Sequence, residues 1–214
     1  MNNVIVLDTE TTNTLDDPIC YDIGYAVVNA DTGEVLKTAS YAVAEIFLDK
    51  PLMATAYFAE KIPSYWDEIK NGERTLARLF TIRRALIADM KAYGVTEIYA
   101  HNMQFDYGST NLTQRFITGS RWRYFFPYGT KICDTLKMSR QAFGKDSEYK
   151  DFCKRNGYLT KNGQLRFTAE ILYRFLKGDN EFIEEHKGLD DVLIEKEILV
   201  ACRRKGIFNG GLWD

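Results

Sequence analysis

The ten residues VIVLDTETTN, 4 to 13, begin as an apolar run and end on two carboxylates, Asp8 and Glu10, one residue apart. Residues i and i+2 of a strand project to the same side, so both acids leave the end of a buried strand together. Whatever surrounds that strand end must solvate the pair or set positive charge between them.

The rest of the chain supplies a frame for such a strand. Its 214 residues fit one domain, spanning 1–214, that buries about 70% of its unfolded surface. Hydrophobic residues at 45% and charged residues at 27% exclude a wholly disordered chain. No apolar run reaches the length of a membrane span, and no basic region precedes the first apolar run, so the expectation is a cytoplasmic protein without a secretory signal. Cys20, Cys133, Cys153 and Cys202 are scattered, which points to reduced thiols rather than a zinc site or a disulfide framework. A net charge of -2 argues against coating duplex DNA through a broad basic face, but is compatible with holding a few nucleotides.

Val4 to Leu7 predict a central strand, and residues 21–43 predict a hairpin around Asp31-Thr32-Gly33. Pro51 and Pro63 break any single long helix over 44–72. Leu76, Leu79, Phe80, Arg83, Leu86, Ile87 and Met90 recur at helical spacing up to Gly94. EIYAHN predicts another strand, followed by a helix from near Gln104 through Leu112 and Phe116, then one after Asp134. YLTKNGQLRF (158–167) carries an Asn162-Gly163 hairpin signal, and Leu189 to Arg204 predict a final helix. This order predicts an α/β sandwich with a mixed sheet.

Two further acids join the first pair: Asp106, just beyond the EIYA strand, and Asp191, five residues after His186 on a helical face shared with Ile194, Ile198 and Ala201. Taken singly, each has an ordinary reading as a solvated loop acid, a first-turn acid or a cap. In order, however, LDTETT, AHNMQFD and HKGLDD resemble the three motifs of the DEDDh 3′-to-5′ exonucleases, the proofreading-exonuclease family on the ribonuclease-H-like fold. CDTLKMSR (133–140) resembles the Asp-Thr segment that such enzymes carry between their second and third motifs.

The resemblance implies a ribonuclease-H-like mixed sheet flanked by helices. It also implies two divalent cations, Mg²⁺ or Mn²⁺, held by Asp8, Glu10, Asp106 and Asp191, with His186 as general base. Those residue types suit the chemistry, because hard oxygen ligands hold such cations and a neutral imidazole can accept a proton from attacking water. The implied activity is hydrolysis of terminal phosphodiesters to nucleoside 5′-monophosphates. The implied partner is a nucleic acid with a free 3′ end, single-stranded DNA first, with no membrane and with a polymerase or other protein partner left open. An RNA-trimming exoribonuclease and an inactive nucleic-acid-binding module are the alternatives.

Thr9, Thr11 and Asn102, within the motifs, are expected to contact substrate, whereas His101 is expected to be structural. Gly188 stands where many members have Ala, an exchange expected to leave the His186 loop intact. After TETT the chain runs Asn13-Thr14-Leu15, where many members have Gly then Leu, so Leu15 is not assigned as a wedge under the terminal base. GSRWRYFFPYGTK (119–131) interleaves cations with aromatics. It is expected to form a strand burying Trp122, Tyr124 and Phe126, with Arg121 and Arg123 exposed near the nucleic-acid path.

Overall fold

The computed structural model describes residues 2–12 and 17–213, so Leu15 lies outside the described residues. The first strand is β1 (Asn3–Thr12), followed by the hairpin β2 (Ile19–Asn29) and β3 (Val35–Val43). The turn between them is closed by the Gly33 N–H donating to Asn29 O at 2.8 Å, with Gly33 at φ 82°. Three further strands, β4 (Thr75–Ala77), β5 (Glu97–Ala100) and β6 (Lys131–Asp134), complete one six-stranded sheet in the order β4-β3-β2-β1-β5-β6. The hairpin pairs are antiparallel, while β1 with β5, β5 with β6 and β3 with β4 are parallel. The sheet is therefore mixed, as the sequence predicts.

Between β3 and β4 lie α1 (Ala44–Phe47), α2 (Lys50–Met53), a 3₁₀ turn (Ala59–Lys61) and α3 (Ile62–Asn71). Pro51 and Pro63 sit in the first turns of α2 and α3, where a missing N–H costs nothing. The remaining helices are α4 (Leu79–Tyr93), α5 (Met103–Thr118), α6 (Thr135–Phe143), α7 (Ser147–Arg155), α8 (Ala169–Lys177) and α9 (Gly188–Arg204). Among the described residues, no helix is long and apolar enough to cross a membrane. All four cysteines are buried and outside any disulfide.

Helices cover both faces, and the two-residue period of β1 sorts its side chains between them. Ile5 and Leu7 enter one core with Ile46, Tyr65, Leu79, Ile82, Leu86 and Met103. Val4 and Val6 enter the other with Met138, Phe143, Tyr149, Leu172, Ile194 and Ile198. Asp8 and Glu10 continue the Val4–Val6 side, which is the side of α9.

Two sequence expectations are corrected. Residues 119–130 form a loop rather than a strand, with Phe125 and Phe126 buried and Trp122, Tyr124 and Tyr128 exposed. Among the described residues, no strand pairs with this stretch, and the loop is held by the Phe125 N–H donating to Asn111 Oδ1 and by Arg83 Nε donating to Phe125 O. The 158–167 hairpin contracts to a single bridge, Leu159 to Leu165, around a five-residue loop, so Asn162-Gly163 is not a two-residue turn.

The start of α9 packs directly on β2. A Cβ on Gly24 would lie 2.2 Å from Gly188 C and from Leu189 N, and one on Gly188 would lie 2.8 Å from Gly24 N and 3.1 Å from Asp8 O. Gly188 is thus a close-approach glycine in this chain, and Ala there would not be the neutral exchange the sequence suggests. Gly24→Ala should lower unfolding stability by about 1–3 kcal/mol or more, with Gly188→Ala costing less, as read from urea melts. A Gly24→Ala variant as stable as the parent would contradict this packing.

Candidate active site

The β1–β2 register shifts directly after Glu10, where Tyr21 is the extra residue, so the irregularity lies in β2 opposite the acid pair. Asp8 and Glu10 emerge into a cleft of about 1160 Å³ that is also lined by His101, Asn102, His186, Asp191 and Glu195. One ligand atom from each of Glu10, His186 and Asp191 lies within 4.8 Å of the others. Asp191 is buried while its neighbour Asp190 is exposed, so the inward face of α9 selects Asp191. Its Oδ1 is buried without a hydrogen-bond partner among the described residues.

Asp106, in the first turn of α5, approaches from the opposite face of the sheet. It is buried, does not line the cleft, and accepts a hydrogen bond from Thr9 Oγ1 at 2.8 Å. Thr9 and Thr11 are both buried on that side, so Thr9 holds Asp106 where the sequence suggests a substrate contact. Asn102 lies on the cleft wall in a left-handed conformation, φ 70°. Its N–H donates to Asp134 Oδ1, the same oxygen that caps Leu136 N–H at the start of α6. The Asp-Thr segment therefore fixes the second motif. His101 is part of that clamp: Nδ1 lies 3.0 Å from Thr135 Oγ1 and Nε2 lies 2.6 Å from Phe167 O. Arg121 and Arg123 follow the C-terminus of α5, whose 16 residues span about 24 Å, and neither lines the cleft.

Several residues at the site escape sequence reasoning. Glu195 is buried one turn after Asp191 and accepts the His101 N–H at 3.0 Å. Asp22, opposite Glu10 in the β1–β2 register, is fully buried. It accepts Tyr65 Oη at 2.7 Å and Gly188 N–H at 3.0 Å, and is paired with Arg74. Arg74 Nε in turn meets Glu68 Oε2 at 2.8 Å, and Glu68 also pairs with Lys187. This chain of charges anchors both residues that follow His186. The 44–72 segment adds Phe58, whose ring stacks on His186 with centroids 4.4 Å apart and planes 8° apart, and Lys61, whose ammonium donates to Glu185 O.

Charge at the acid cluster is compensated only in part, by Lys61, which acts on Glu10 and Asp191. Burial, then Asp22 and Asp191, push the Glu10 carboxyl up to about 9. Burial, then Glu184 and Asp190, push Asp191 to about 8. Burial carries Asp106 to about 7 against the hydrogen bond from Thr9. Asp8 rises through burial and then Asp106, and Glu195 through burial and then Asp106. His186 moves the other way, lowered by burial and then by Lys61, which keeps its imidazole neutral near pH 7. Oxygen donors gathered in this way, one of them buried and unpartnered, fit a hard divalent cation.

No protein-family model and no curated protein matches the sequence. Solved structures do match. A 3′-exonuclease recognising the 3′ end of a histone mRNA stem-loop is 14% identical, with 96% of this chain and 83% of that one covered at a TM-score of 0.63. The nuclease domain of 3′hExo, a DEDDh family member bound to rAMP, is also 14% identical, with 96% and 94% covered at 0.63. A full-length 3′-exonuclease is 12% identical, with 97% and 84% covered at 0.58.

Raised carboxyl pKa values give the cluster a definite pH dependence. A carboxyl raised in the folded state stabilises it fully below the ordinary value, 3.8 for Asp and 4.5 for Glu, and that contribution is lost as pH climbs through the raised value. In chelator, the cluster should therefore cost stability progressively between about pH 4 and 9. Mg²⁺ or Mn²⁺ should raise the melting temperature by several degrees at pH 8 and by much less at pH 5, at about 2–4 °C per kcal/mol for a chain of this size. Equal metal-induced shifts at both pH values would contradict the assignment. Across nearly its whole length, then, the chain has the fold of the 3′-exonucleases, a ribonuclease-H-like mixed sheet flanked by helices.

Proposed function

We propose that the chain is a single, metal-dependent 3′-to-5′ exonuclease domain that removes nucleoside 5′-monophosphates from nucleic acid. The observation that carries this reading is the convergence of Glu10, His186 and Asp191 from two separate motifs within 4.8 Å, in a cleft that Asp8 also lines. Asp8, Glu10 and Asp191, with Asp106 behind Asp8, would hold two divalent cations, Mg²⁺ or Mn²⁺. Such cations supply charge neutralisation at the phosphoryl oxygens and activation of water.

The remaining work falls to the protein. A neutral His186 accepts the proton of the attacking water. Attack at the terminal phosphorus breaks its bond to the 3′ oxygen of the preceding nucleotide, leaving a shortened strand with a 3′ hydroxyl and a free 5′-monophosphate. The Asp22, Arg74, Glu68 and Lys187 chain, together with the Phe58 ring, holds the His186 loop in place. Asn102 is retained as a substrate contact because it lines the cleft. Single-stranded DNA is the first substrate proposed. The neighbours that bind an RNA stem-loop and rAMP favour RNA as the second reading.

His186→Ala should lower the single-turnover rate on a short strand by about 10²–10⁴-fold with strand binding retained, since the lost contribution is proton transfer. His101→Ala, which removes a structural clamp, should act through stability instead. Near-parental turnover by the His186→Ala variant would exclude it as the base.

A further inference from the structure

The cleft does not end at the carboxylates. Its far wall is built from α6, α7 and the loop before α8, and it is lined there by Arg140, Lys150 and Arg166 together with Thr160, Gln164 and Phe167. Among the described residues, no hydrogen bond or ion pair occupies the side chain of any of the three cations, whereas Arg174, Lys177 and Lys205 on neighbouring elements are paired. Arg140 and Arg166 are exposed and Lys150 is half-buried. Arg140 and His101 both line the cleft, so Arg140 lies on the cleft side of α6.

The wall is rigid where it matters. The Arg166 backbone is held at both ends, its N–H donating to Tyr158 O at 3.2 Å and its carbonyl accepting Tyr149 Oη at 2.5 Å. Tyr149 precedes Lys150 on α7, so Lys150 and Arg166 are tied to one another through the fully buried Tyr149. A cleft of about 1160 Å³ exceeds the roughly 300–1,000 Å³ usual for a small ligand, so it has room for more than one nucleotide. One end is acidic and the other basic. A mononucleotide would use only one end, whereas a strand would carry its terminal phosphodiester to the acids and its upstream phosphates to the cations.

We infer that Arg140, Lys150 and Arg166 form a phosphate track for the single-stranded polynucleotide upstream of the bond to be cut. This rests on the exonuclease reading for the polarity of the strand, with the 3′ end at Glu10 and Asp191. It moves the substrate cations from Arg121 and Arg123, which do not line the cleft, to three that do. The Leu159–Leu165 bridge and its loop acquire a role as the element that presents Arg166 and Gln164 to the strand.

The test is fluorescence anisotropy of a 5′-labelled short single strand over a salt series, with Mg²⁺ present and in the His186→Ala background to slow cleavage. Each phosphate contact on a single strand contributes about 0.7 to the slope of log affinity against log salt. Arg140→Ala, Lys150→Ala and Arg166→Ala combined should reduce that slope by about 2 and weaken binding at low salt by about tenfold or more. Lys154→Ala, on the same helix as Lys150 but outside the cleft, should change neither, and melting temperatures should stay close to the parent. A triple variant with the parental slope, while the parent binds the strand, would overturn the track and leave the exonuclease reading standing. A parent that binds no strand would overturn both. A reduced slope in a protein that proves unable to cleave would support the track and remove the catalytic reading alone.

Discussion

The acidic end of the cleft depends on how closely the start of α9 approaches β2. Neither Gly24 nor Gly188 has room for a Cβ, and only that contact lets the last helix bring Asp191 and Glu195 over the end of β1. The Gly188 N–H is at the same time donated to Asp22, so the backbone that is squeezed against the strand is also hydrogen-bonded to it. His186 lies two residues earlier, at φ 51°, in a conformation that non-glycine residues adopt only when their surroundings enforce it. The stacked Phe58 ring and the Lys187–Glu68 pair supply that enforcement from either side.

Two buried acids that face one another across β1 and β2 show how the fold separates structural from functional charge. Asp22 has a guanidinium, a phenol and a backbone N–H, which offset in part the burial that raises its carboxyl above the ordinary value and tie it into the framework. Glu10, its register partner, faces His186 and Asp191 instead. A folded chain that leaves several carboxyls in mutual repulsion has forgone stability at that place, and such arrangements concentrate where charge is required by a ligand. Lys61 offsets the cluster only in part, while Arg74 is engaged by Asp22 and Arg140, Lys150 and Arg166 line the cleft wall formed by α6, α7 and the loop before α8.

Much of this was legible in the sequence because the site is built on regular elements. The period of two along β1 fixes which face Asp8 and Glu10 share, and the helical period of α9 selects Asp191 over Asp190. Glu195 and Asp22 went unread although each carries a signal, Glu195 by its place four residues after Asp191 and Asp22 as an acid in an otherwise apolar strand. What the sequence did not reveal depends on non-local contacts. Nothing local tells that Phe58 meets His186, or that Thr9 turns to Asp106 rather than to the cleft. The cation-rich stretch at 119–131 misled because its aromatic alternation fits a strand, whereas its only buried rings, Phe125 and Phe126, are adjacent in sequence and anchor a loop at the far end of α5.

The central claim is that this cleft removes nucleotides from a 3′ end. Its most direct measurement follows one strand labelled at the 5′ end and the same strand labelled at the 3′ end, each as DNA and as RNA, with Mg²⁺ and with excess chelator. The account requires the 3′ label to leave first as a nucleoside 5′-monophosphate, the 5′-labelled strand to shorten one nucleotide at a time, and both processes to stop in chelator. Internal cuts, loss of the 5′ label first, or undiminished activity in chelator would contradict it.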